Sequence, residues 1–394
     1  MTRLWDKGLP LDQRVLRYTA GEDHKLDARL VPYDVRGSIA HAEMLAACGL
    51  ITGEDCTDIC IGLTELEKAY ADGDWQISIE DEDVHTALET RLTTKIGEAG
   101  GRLHLGRSRK DQVLTALRLY LRDTADDLGK RVLELVVTLR DLARAQGNVP
   151  LPGYTHMQHA MPSSVGLWAG GFAEAFTDAA EGLAATRRRS GLNPLGSAAG
   201  YGTPLPLDRA MTTAALDFER TQEPVTAVQL SRGRAEAHLL FEINLLMQDL
   251  GRLASDLLLF YTQEFSYVRL PRETTTGSSI MPQKRNPDVL ELVRGASATS
   301  LACLNEALVV TSKLPSGYHR DLQRLKPPLF RGIDLATESV DIMNYLLSGL
   351  EFVPENIHLD DGIYAAERAY ELVRAEGIPF REAYRRIAQA YAED

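Results

Sequence analysis

From Gly277 to Asp288 the chain reads Gly-Ser-Ser-Ile-Met-Pro-Gln-Lys-Arg-Asn-Pro-Asp. Thr274, Thr275, Thr276, Gly277, Ser278 and Ser279 form a small, hydroxyl-rich strip, and Lys284 adds an ammonium just ahead of a predicted helix. Asn286 suits the N-cap of that helix, Pro287 its first position and Asp288 its first turn. A helix N-terminus, an ammonium and an amide together hold a carboxylate, and hold it better as charge builds on it. Capping alone accounts for Asn286 and Pro287. It does not account for two serines, a methionine and a lysine in one ordered string. A second cluster, Arg107-Ser108-Arg109-Lys110-Asp111, precedes the longest periodic stretch. There Asp111 reads as an N-cap and Arg109 as a bidentate carboxylate clamp.

The elements that must position these groups are long helices. Asp111 to Gln146 contains no proline, and Leu114, Leu117, Leu121, Leu128, Leu133, Leu135 and Leu139 repeat at steps that keep one face apolar. Residues 163–189, 235–264, 287–313 and 332–350 repeat the pattern. Several stripes, such as 257–260 and 135–137, point more than one way, which places those helices inside a bundle or at a subunit interface. No strand–helix–strand alternation is visible, so the expected fold class is all-α. Turn-rich segments at 151–158, 193–206, 270–286 and 314–328 join the helices, and connections of this length are usually functional. Breaks near 105 and 353 predict an N-terminal helical domain (1–105), a central long-helix bundle (106–352) and a short C-terminal helical domain (353–394).

Composition narrows the function. The formal charge is −13, which argues against nucleic acid and anionic membrane as partners. No apolar run is long enough to span a membrane, and the N-terminus has no signal-peptide core. Cys48, Cys56, Cys60 and Cys303 form no CxxC pair, which favours a reducing, cytoplasmic setting and predicts no metal site; no cofactor is expected.

The segment 277–287 resembles the signature GSSxMPxKxNP of the fumarase/aspartase superfamily, with every fixed position present. DVRGSIAHAEML (34–45), EDVHTALE (82–89), LHLGRSRKDQV (103–113), LPGYTHMQHAMP (151–162), NPLGSAAGYGTPLPLDR (193–209) and GYHRDLQRLK (317–326) resemble, in order, the blocks of the argininosuccinate lyase family. The resemblance implies a fumarase/aspartase-like fold and reversible elimination of argininosuccinate to arginine and fumarate. It also implies a cytoplasmic homotetramer whose sites are shared between subunits. Ser278 is then the base, assisted by Lys284. His156 is the partner acid/base, or a group polarising a water or the leaving nitrogen, and Glu291 pairs with it. Thr155, Ser108, Arg109, Lys110 and Asn286 belong to the substrate site, as do Tyr318, Gln323 and Lys326, with His85 beside the leaving group.

The sequence also departs from the family. Lys110 stands where asparagine is usual; His319, Arg324 and Leu325 replace Asn, Glu and Asp; and the usual SDRD string reads SRGRAE at 231–236, from which Arg234 is carried over as a site residue. Loss of two acids predicts a more cationic site. The family continues past EGIPFREAYRRI (376–387), so a shortened C-terminal part is expected. These departures keep two alternatives open: a sister C–N lyase releasing fumarate from another N-substituted succinate, and a non-catalytic structural homologue. His24, His41, His104, His159, His238, His319 and His358 read as structural. Trp5, Trp75 and Trp168 read as packing anchors.

Overall fold

Residues 12–391 are described by a computed structural model, so Trp5 lies outside the described residues. The long helices form where leucine periodicity places them, with shifted ends. The 38-residue helix Arg109–Gln146, about 57 Å long at 1.5 Å per residue, starts two residues earlier than expected. Ser108 is its cap, its Oγ accepting from Lys110 N–H at 3.4 Å. Asp111, expected as the cap, is the third helical residue and turns its carboxylate back onto Ser108 N–H at 2.8 Å. The helix Lys326–Ser348 starts six residues early because Pro327 and Pro328 sit in its first turn, where a missing N–H costs little. Val165–Ser190, Arg234–Tyr261 and Asp288–Thr311 complete the long set.

The all-α class holds, with one correction to the loops. Residues 151–158 are not a loop. Pro150–Thr155 pairs antiparallel with Gln158–Ser164, and His156-Met157 forms the two-residue turn. Both turn residues have positive φ, 54° and 60°, as a hairpin turn whose twist matches its strands requires. Such φ values are uncommon outside glycine and cost of order 1–3 kcal/mol each.

The chain divides into two compact units, with boundaries that fall inside the long helices. Among the described residues, the first comprises 12–129, 181–244 and 299–335. In it the helices Val31–Ala47, Gly53–Ala71 and Val84–Ile96 bury Val35, Leu45, Ile59, Leu63 and Leu92. Thr52 and Asp55 close a capping box on the second of these helices. Ala40, Leu119, Leu195, Leu216 and Phe218 form a further apolar cluster against Tyr33.

The second unit comprises, among the described residues, 130–180, 245–298 and 336–391. Its core carries an aromatic cluster of Trp168, Phe172, Phe260 and Phe352, and the Trp168 indole N–H donates to Asp256 at 3.0 Å. Trp75, in the first unit, donates to Leu66 carbonyl at 2.9 Å. The second unit's last helices, Ala365–Glu376 and Phe380–Tyr391, turn at Gly377, which is left-handed, and stack Tyr370 on Phe380.

Candidate active site

A cavity of about 510 Å³ in the first unit is lined by Ser108, Arg109, Lys110, Tyr318, Gln323, Lys326 and His85. These seven sequence candidates come from three separated segments. Ser108 caps the long helix, so Arg109 and Lys110 emerge in its first turn. Asp111 anchors that turn from below by accepting also from Gly196 and Ala198 N–H, at 3.1 and 2.8 Å. Burial pushes the Asp111 carboxyl up to about 6, against the pull of those N–H groups. Lys110 Nζ lies 5.0 Å from the centroid of the Tyr318 ring, a cation–π distance.

Most of the cations expected to bind substrate are already engaged. Arg109 pairs with Asp83 at 2.8 Å and lies 3.9 Å from Glu82. Lys326 is buried and donates to Asp27 at 2.6 Å and Asp23 at 3.1 Å. Burial works against its ammonium, but Asp27 and Asp23 outweigh it and hold the lysine charged. Burial in turn pushes Asp23 up to about 6, although Lys326 opposes it. Gln323 spends its amide N–H groups on the carbonyls of Thr19 and Ala20 and accepts from Arg320. The expected positive charge is present but partly offset: Asp23, Glu82 and Asp83 line the same cavity as Arg109, Lys110, Arg232, Arg320 and Lys326.

His85 is buried with Nδ1 2.5 Å from Asp34 Oδ2. Burial disfavours its cation, yet Asp34, followed by Asp83 and Asp27, raises its pKa. Asp34 is correspondingly lowered, since His85 and Arg107 outweigh its own burial. His85 Nε2 has no hydrogen-bond partner among the described residues. It reaches the cavity as part of a hydrogen-bonded pair with the Asp34 carboxyl group.

Arg234 is not on this cavity. It lines a neighbouring one of about 470 Å³ with Leu230, Phe241, Leu304 and Leu308. Arg232, two residues earlier, lines both. His104, read as structural, also lines the first cavity and lies 3.2 Å from Glu89. Sequence reasoning missed Asp23, Arg232 and Arg320 as lining residues. The doublet of arginines in SRGR was the available signal for Arg232; Asp23 carried none.

The other candidates belong to the second unit. His156 and Thr155 stand exposed at the hairpin tip. Beneath them His159, read as structural, lies 3.2 Å from the Tyr154 hydroxyl. Its Nδ1 is 2.8 Å from Asp360, an ion-pair distance without hydrogen-bond alignment. In the signature segment Thr276 and Asn286 exchange two backbone hydrogen bonds, 3.0 and 2.8 Å, and so close residues 277–285 into a loop. Asn286 is not the N-cap: its amide donates to Gly277 carbonyl at 3.3 Å, and Pro287 carbonyl accepts the first helical bonds. Asp288 accepts from the Thr276 hydroxyl. Ser278 Oγ accepts from the N–H groups of Ile280 and Met281 at 3.3 and 3.1 Å. Lys284 and Glu291 are exposed, and among the described residues no ion pair joins Glu291 to His156.

Residues 12–300 match a family model described as "Lyase". The fold matches that of class II fumarase from Schistosoma mansoni, with TM-score 0.80 at 19% identity, covering 98% of this chain and 90% of that one. Fold and signature together define a lyase of the fumarase/aspartase superfamily. A second solved structure, EDDS lyase in complex with formate, is 26% identical with TM-score 0.83, covering 98% of this chain and 77% of that one. The argininosuccinate lyase of Sorangium cellulosum is 45% identical over 392 residues, 99% of this chain and 91% of that protein. Within the superfamily, the chain belongs to the argininosuccinate lyase family.

Proposed function

We propose that the protein cleaves argininosuccinate reversibly to arginine and fumarate in arginine biosynthesis, in the cytoplasm. The observation that carries this reading is full-length similarity to argininosuccinate lyase together with an intact GSSxMPxKxNP segment. Ser278 takes the proton from the succinyl carbon next to a carboxylate. The electron pair of the broken C–H bond moves into that carboxylate as an aci-carboxylate. Its return forms the fumarate double bond and expels the guanidino nitrogen, to which His156 delivers a proton. A serine does this only as a stabilised alkoxide. The Ile280 and Met281 N–H groups on its oxygen support that state, and Lys284 adds charge nearby. Asn286 and Thr155 hold the succinyl half, Glu291 pairs with His156, and Ser108, Lys110 and Tyr318 meet the amino-acid half.

The active assembly is a homotetramer in which one subunit's cavity is completed by the hairpin tip and signature loop of its neighbours. Supporting this, Ile280 is 85% exposed and Leu292 73% exposed beside the candidate catalytic groups, surfaces that association would cover. Incubation with argininosuccinate, followed by the ultraviolet absorbance of fumarate, tests the reading; absence of fumarate at high enzyme concentration sinks it. A second reading, a sister lyase for another N-substituted succinate, is favoured by Lys110 lying over Tyr318 where the family carries asparagine. A panel of amines supplied with fumarate in the reverse direction separates the two.

A further inference from the structure

We infer that Arg232 is the carboxylate receptor for the amino-acid half of the substrate. This rests on the lyase reading above and deepens it. Arg232 is only 6% exposed, yet its Nε and one Nη have no hydrogen-bond partner among the described residues. Its nearest carboxylate, Glu236, is 3.9 Å away, too far for a hydrogen bond, and Glu236 Oε1 is also unpartnered. A buried guanidinium with unspent donors loses its water without recovering the bonds, which is destabilising. Such an arrangement pays off when an anion supplies the missing acceptors.

Of the other lysines and arginines of the cavity, Lys110 lies over the Tyr318 ring and lacks a planar fork, and the remaining three are already engaged. Arg109 is committed to Asp83, and Lys326 to Asp27 and Asp23. Arg320 is committed to Thr19 carbonyl and Gln323. Arg232 alone among these arginines is both buried and unspent, and a carboxylate matches its planar fork bidentately.

The backbone holds Arg232 in place. It sits in the turn between the helices Thr226–Leu230 and Arg234–Tyr261. Gly233 there has φ +84°, and a Cβ at that position would collide with Thr311. Ser231, on the other side, accepts from Arg118 at 2.8 Å, while the same guanidinium donates to Gln222 at 2.6 Å. The receptor is therefore preorganised, and binding does not have to order it.

The test titrates the full-length wild type, Arg232→Gln and Arg232→Lys by calorimetry with L-arginine and with agmatine, which has the same guanidinium chain and no carboxylate. Wild type is expected to prefer L-arginine. Arg232→Gln should weaken L-arginine binding roughly tenfold or more and leave agmatine within about twofold, erasing the preference. Arg232→Lys, which keeps the charge and loses the fork, should fall between and decides the matter if the glutamine variant does not fold. An undiminished preference in either variant, or no preference in wild type, overturns the inference. Wild-type fumarate release from argininosuccinate is measured alongside. Release without the arginine preference refutes the role of Arg232 and leaves the lyase reading standing; no release refutes that reading, while the two titrations still judge Arg232.

Discussion

A serine hydroxyl abstracts a carbon-bound proton only if its own proton has somewhere to go and the resulting oxygen anion is held. Two loop N–H groups already point at Ser278 Oγ, so the role assigned to it makes a sharp prediction. Ser278→Ala should lower kcat by roughly 10²–10⁴ with little change in KM, because the lost group acts on the transition state and not on ground-state binding. Initial rates of fumarate release over a substrate series check it; a kcat within severalfold of wild type removes Ser278 from the mechanism. Another residue governs acid stability. His41 is fully buried with Nε2 2.8 Å from Leu105 carbonyl, and burial, reinforced by Arg107, depresses its pKa from 6.5 to about 3. Above pH 6.5 it is neutral in folded and unfolded chains alike and contributes no pH dependence. Between 6.5 and about 3 the unfolded chain takes up a proton that the folded one refuses, so stability falls with pH by up to about 1.4 kcal/mol per unit from this group. His41→Gln keeps an N–H for Leu105 and does not titrate. It should shrink the difference in melting temperature between pH 7 and pH 5, and an unchanged difference counts against His41 as the acid-labile group.

Helices and loops differ in how plainly the chain announces them. Leucine spacing made the long helices legible, since a 3.6-residue period survives whatever lies at the ends. The ends themselves were misread because capping is decided by which side chain turns back: Ser108 instead of Asp111, and Pro287 carbonyl while Asn286 reaches across to Gly277. The hairpin at 150–164 escaped notice because its turn is His-Met, without the Asn or Gly that normally signals positive φ. Leu133, counted in the apolar stripe, is about half exposed, while its neighbours Leu135 and Val136 are buried. At the site, motif blocks marked the segments that carry the cavity, but not which cations Asp23, Asp27 and Asp83 had already claimed; those pairs join residues as far apart as 23 and 326. One element yields a direct test. Residues 277–285 form a loop tied at its neck by Thr276 and Asn286, and Lys284 and Arg285 are exposed within it. If it closes over substrate, limited trypsin should cut there in the free protein and be slowed several-fold by argininosuccinate. Equal cleavage with and without substrate, read by mass spectrometry of the fragments, argues that the loop does not close.

At the scale of the whole molecule, a chain at −13 must bind a substrate rich in carboxylates. Local donors have to do what net charge opposes, and those donors are divided between elements that each carry only part of the chemistry. The long helices also leave apolar side chains in water: Val137 is 54% exposed, one turn along the helix Arg109–Gln146 from Leu133. Such faces cost little if neighbouring copies cover them. Association would then hide apolar surface and complete each site in one step, which is the reason to expect them to be coupled. A complementation experiment exposes that coupling. Ser278→Ala and His156→Gln are each expected to be nearly inactive alone. When the two are mixed, dissociated in mild denaturant and reassembled, some sites receive the intact serine from one parent and the intact histidine from the other. With random equal mixing that fraction is about a quarter of the sites, the product of two even chances. Recovery towards that level, absent when the proteins are mixed without dissociation, means that the two groups come from different chains. Reassembly of full-sized oligomers with no recovered activity means that a single chain supplies both groups to each site, and the arrangement that draws them from different chains falls even if the chemistry assigned to Ser278 stands.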